Sequence, residues 1–127
     1  MVKRSHALAF IALSMSLLGC VDQRITRAKE RITRAKESVL RNNLFTIRTV
    51  IDEYTYDKQK APQGLQDLVS EGYLRKIPED PITGSADTWK PIMEDMRNAV
   101  NKKEPGLLNV RSGSDKKSLD GSRYADW

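Results

Sequence analysis

The chain has 127 residues, 39% of them hydrophobic and 31% charged, enough for one small folded body and no more. A single cysteine excludes an internal disulfide and a cysteine-built zinc site, and the lone histidine, His6, stands too near the start to serve a catalytic dyad in the body. The net charge of +5 invites nucleic-acid binding, but two Trp, four Tyr and two Phe are few for a base-stacking surface.

Lys3 and Arg4 precede an apolar stretch at residues 7–18. That stretch is too short to cross a bilayer, which takes about 20 residues, and suits a cleaved export signal. It ends Leu17-Leu18-Gly19-Cys20, which is similar to a bacterial lipobox, with Leu where Ala or Ser is more usual. On that resemblance residues 1–19 are a lipoprotein-type signal peptide, and Cys20 becomes the acylated N terminus that holds the protein at a membrane. An ordinary signal peptide with an incidental cysteine is the alternative.

Residues 20–37 form a basic heptad-repeat spacer. The heptad RITRAKE at residues 24–30 is repeated at once at residues 31–37, and seven residues make nearly two helical turns, so the phase is kept. Ile25, Ala28, Ile32, Ala35 and Val39 trace a narrow a/d seam. Glu30 and Arg34, and Glu37 and Arg41, stand four residues apart, which predicts helix-supporting ion pairs. The two heptads carry +4 of the net +5, so the basic character belongs to this helix and not to the body. Beside an acylated terminus it would lie near anionic headgroups; a solvated spacer is the blander reading. An exported segment without interleaved aromatics is no nucleic-acid site.

A second stripe begins one residue out of step with the seam. Leu40, Leu44, Ile47, Ile51 and Tyr54 follow at steps of four, three, four and three, the face of one helix running from about residue 22 to residue 58. Leu44, Ile47, Ile51 and Tyr54 are the residues expected to pack it on a sheet. Pro62 bars the helix from continuing. Leu65, Leu68 and Val69 make a shorter helical face closed by Gly72, and Pro78, Pro81 and Gly84 force a turning path. Residues 88–93 and 107–111 read as strands, with a polar loop or short helical excursion over residues 94–104. The Ser-, Gly- and Asp-rich end is pinned by Leu119, Tyr124 and Trp127. The acidic neighbours Asp52 and Glu53 point about 100° apart on a helix and cannot share a proton, and Asp80 before Pro81 reads as a turn acceptor. No nucleophile–base, phosphate-loop or metalloprotease spacing occurs in the chain.

The segments VLRNNLFTIRTVIDEY at residues 39–54, LQDLVSEGYL at 65–74, IPEDPITG at 77–84 and, more faintly, RSGSDKKSLDGSRYADW at 111–127 resemble the G-type major pseudopilin of bacterial type II secretion, a branch of the type IV pilin-like superfamily. The Gly-Tyr-Leu, Pro, Asp-Pro run is the most specific part. The resemblance implies an α+β, pilin-like fold over residues 38–127, a long N-terminal helix packed on a small antiparallel sheet with an irregular C-terminal loop. It also implies a calcium ion in that loop, for which Asp115, Asp120 and Asp126 are the matching carboxylates. The chain departs from the family at its start, where a Gly-Phe cleavage pair, an early glutamate and an uncut apolar helix are all missing.

The resemblance implies a non-enzymatic structural component of a type II secretion or related pilus-like system, working through contacts with other pseudopilin subunits or secretion components. It would be exported and held at a membrane, facing the periplasm. The alternative is a stand-alone periplasmic lipoprotein adaptor that self-associates through its heptad helix, with no part in secretion.

Overall fold

The computed structural model describes the backbone from Lys3 to Trp127 and side chains from Gly19 onward, so the leader residues before Gly19 lie outside the described side chains. The chain divides into two compact units, Met1–Arg34 and Ala35–Trp127. The elements, in order, are α1 (Lys3–Lys58), α2 (Leu65–Ser70), β1 (Lys90–Met93), β2 (Leu107–Arg111) and a terminal 3₁₀ turn (Tyr124–Asp126). The fold is α+β: a long N-terminal helix, a two-stranded antiparallel sheet and an irregular C-terminal loop.

α1 starts well before residue 22, where the apolar periodicity placed its beginning. Between the apolar stretch and the repeat there is no proline, and Gly19 alone is too weak a breaker to end a helix. The change of stripe at Val39–Leu40 is sharp: Val39 is 48% exposed, while Leu40 is fully buried. From there Leu44, Ile47, Val50, Ile51 and Tyr54 are all buried, each worth about 1.5–3 kcal/mol in removed apolar surface. The helix ends through Gln59, which takes a left-handed φ of 56° and turns the chain toward Pro62.

α2 has no side-chain cap at Gly64, yet the Gln63 N–H reaches the Asp67 carboxylate at 2.8 Å and supplies one partner to the helix start. Gly72, at φ 82°, closes it as expected, and the Tyr73 and Leu74 N–H groups both return to the Leu68 carbonyl at 2.9 Å. Leu68 is fully buried in the core, and Leu65, Tyr73, Leu74, Ile77 and Ile82 pack against that core, partly buried.

β1 and β2 pair antiparallel, Lys90 opposite Arg111 and Ile92 opposite Asn109, with a bulge between Ile92 and Met93. Such a ribbon is barely stable alone; Leu107 and Val110 bury its inner side against the α1 stripe and Tyr124. β1 is shorter than the sequence suggested. Thr88 stays in the preceding turn, its hydroxyl 2.6 Å from that of Thr83, and the Trp89 indole donates to the Pro78 carbonyl. Between the strands, the Glu94 carboxylate accepts the N–H groups of Val100 and Gly106, which organises the loop without a helix.

Candidate interaction surface

Polar side chains tie α1 to the 61–84 connection, and a backbone hydrogen bond ties that connection to β2. Asn43 donates to the Glu79 carbonyl at 2.8 Å, and Tyr73 donates to Asp57 at 2.8 Å while its ring lies 5.3 Å from that of Tyr54. At the other side, the Leu107 N–H donates to the Pro62 carbonyl at 2.6 Å. Asp80 is completely buried: one carboxylate oxygen accepts the Ile82 N–H at 2.9 Å, and the other accepts the Ser112 hydroxyl at 2.7 Å and the Gly113 N–H at 3.0 Å. A buried carboxylate without a cation persists only when hydrogen bonds surround it in this way.

Arg48 performs the same service from the helix. Its guanidinium donates to the Asn109 side-chain oxygen at 2.7 Å and to the backbone carbonyls of Val110 and Trp127 at 3.1 and 2.8 Å. Burial, and then the neighbouring Arg111 charge, hold its pKa below the ordinary arginine value. Glu37 reaches the C-terminal loop, accepting the Leu119 N–H at 2.9 Å and the Tyr124 hydroxyl at 2.8 Å. The expected Glu37–Arg41 pair is therefore not made, and Arg41 instead stacks over the Trp127 ring at 3.9 Å. The Glu30–Arg34 pair does not form among the described residues either, since both side chains are free in water, where such pairs are worth little.

Leu44, Ile47, Ile51 and Tyr54 lie inside the core, so whatever the protein touches is met by other residues. Phe45 is 70% exposed and Tyr56 is 79% exposed on the same helix, with Thr49 and Asp52 between them at helical spacing. Phe45, Arg41, Arg48, Thr49, Asp52 and Trp127 line an open groove of about 550 Å³. Tyr56 lines a neighbouring one with Asp52, Thr55, Gln59 and Val100. The sequence offered a thin signal here: two aromatics eleven residues apart, outside the dominant stripe and separated by polar residues.

Cys20 is exposed on α1, accessible to modification. The three loop aspartates are each engaged separately. Asp115 accepts from Lys90 at 3.0 Å and Arg123 at 3.1 Å, and the hydrogen bond and charge of Lys90 hold its carboxyl below the usual range. One Asp120 oxygen accepts the Ser118 hydroxyl, the Ser122 hydroxyl at 2.6 Å and the Ser122 N–H at 2.9 Å, which depress its pKa to about 2. Asp126 stands in the 3₁₀ turn, and its backbone carbonyl accepts from Arg111. Among the described residues no group of three or more His, Cys, Asp or Glu is placed to hold a metal ion. In this arrangement Asp115 is paired with Lys90 and Arg123, and Asp120 with the Ser118 and Ser122 hydroxyls.

Among the described residues no helix is long and apolar enough to cross a membrane. Compared with protein-family models, with curated proteins and with solved structures, the chain matches none.

Proposed function

We propose that this protein is a non-enzymatic, pseudopilin-like structural component of a type II secretion or related pilus-like system. It would be exported, held at a membrane by acyl chains on Cys20, and would act by touching neighbouring subunits. The observation that carries this reading is the division of labour on α1. One face is wholly consumed by the sheet and the 61–84 connection, while Phe45 and Tyr56 stand open on another. Large exposed aromatics beside grooves are characteristic of protein–protein contact. The polar residues of the body support that reading too, since Asp80, Arg48 and Glu37 are each occupied in holding backbone.

Photo-crosslinking residues placed at positions 45 and 56, in the cell that makes the protein, test it. Pilin-like or other export-system subunits are expected as the partners, with crosslinking lost when Phe45→Asp or Tyr56→Asp is introduced elsewhere on the same face. Absence of any such subunit among the products at both positions, with the protein folded and exported, overturns the assignment.

A further inference from the structure

The two RITRAKE heptads leave an apolar seam uncovered. Val21, Ile25, Ile32 and Val39 are 52%, 47%, 59% and 48% exposed, and Ala28 and Ala35 are exposed between them. The seam occupies only two positions in seven, and every second one is alanine. That is the form of a helix–helix seam, in which a small residue lets a second helix approach closely. A helix lying in a lipid interface has a broader apolar face bearing Trp, Phe or Leu, none of which occurs here.

The flanks decide the partner. With Ile25 and Ile32 at position a and the alanines at d, the positions beside the seam within the two heptads are Arg24, Lys29, Arg31 and Lys36, all cationic, with Asp22 and Ser38 beside its two ends. Glu30 and Glu37 fall outside these flanks, and Glu37 is taken by the C-terminal loop. In a parallel pair of identical helices, Arg24 would face Lys29 of the second copy, and Arg31 would face Lys36. In an antiparallel pair, arginine would face arginine and lysine would face lysine. Either arrangement sets like charges together throughout the two heptads, which opposes self-pairing. We infer that residues 21–39 dock an acidic amphipathic helix of another protein, one that carries Glu or Asp on both flanks of its own apolar seam. The identical repeat presents the same charge and apolar pattern twice in one register, so the partner is read over about four helical turns.

The full chain can be titrated with a fluorescent synthetic three-heptad peptide bearing Ile and Leu in its seam and Glu on both flanks. A lysine-flanked version, and vesicles of phosphatidylcholine with phosphatidylglycerol, serve as the competing probes. The glutamate peptide is expected to bind, more weakly as salt rises. The Lys29→Glu, Lys36→Glu double variant is expected to lose roughly tenfold in affinity and to gain the lysine-flanked peptide instead. Ile32→Asp should abolish both interactions while circular dichroism shows the helix intact. The inference is overturned if the glutamate peptide fails to bind, or if both peptides bind alike. It falls equally if charge reversal changes nothing, if vesicles capture the chain in place of the peptide, or if sedimentation shows a dimer that Ile32→Asp dissolves.

Discussion

Asp80 joins the turn at residues 80–85 to the start of the loop after β2, and nothing else in the body supplies those acceptors. Asp80→Ala strands the N–H groups of Ile82, Thr83 and Gly113 and the Ser112 hydroxyl, so chemical denaturation should show a loss of about 2–4 kcal/mol. Asp80→Asn keeps the shape and should lose less. Two glycines are set by proximity: a Cβ on Gly106 would enter the Pro62 and Ala61 carbonyls, and one on Gly113 would enter the Thr88 backbone. Gly106→Ala and Gly113→Ala should each destabilise by about 1–3 kcal/mol. The Asp-Pro turn and its acceptor were visible in the sequence. The glycine clashes were not, because each depends on backbone that arrives from more than twenty residues away.

At the scale of elements, the repeat is a natural experiment, since Glu30 and Glu37 are identical in local sequence and different in use. Glu37→Gln weakens the tie from α1 to Leu119 and Tyr124, and a loss of about 1 kcal/mol is expected; Glu30→Gln should be neutral within error. The Tyr124 hydroxyl reports the same tie. Burial first, and then the Glu37 hydrogen bond, push its pKa up to about 12. A raised folded pKa favours the protonated form, so this contribution is intact below about pH 10 and is lost as pH climbs toward 12. Ultraviolet titration should show the Tyr124 transition moving down in Glu37→Gln. Tyr73 is also pushed to about 12, chiefly by its hydrogen bond to Asp57, so the experiment needs Tyr73→Phe as background. Both helix stops and the presence of both strands could be read from periodicity and from proline and glycine, but not the early start of α1 or the late start of β1. The expected Glu37–Arg41 pair could not survive, because the loop offers Glu37 two donors that no local rule anticipates.

For the whole molecule, charge and attachment make the remaining predictions. Asp120, held at about 2 by the Ser118 and Ser122 hydroxyls, has a depressed folded pKa. Its contribution is present above an unfolded value of about 3.9 and is lost as pH falls toward 2. Asp120→Asn should flatten that acid limb in a pH-dependent melt. Calcium has a direct assay: with Asp115 bound to Lys90 and Arg123, melting temperature should be the same in calcium and in chelator, whereas a rise that vanishes in Asp115→Ala would assign calcium to the loop. On the proposed lipid anchor, labelled palmitate should enter the chain and be absent from Cys20→Ser.

The sequence by itself determined where the two helices end, where the chain turns, and which stripe of α1 is buried, since these follow from side chains a few residues apart. It also determined the basic seam of the repeat, whose pattern is entirely local. Tertiary structure alone decided that Phe45 and Tyr56 stay outside while Val50 goes in, that Glu37 and Arg48 hold the C-terminal loop, and that the loop aspartates are met one by one. Those outcomes turn on which backbone donors and cations fold back against each residue, and such encounters carry no periodic signature along the chain.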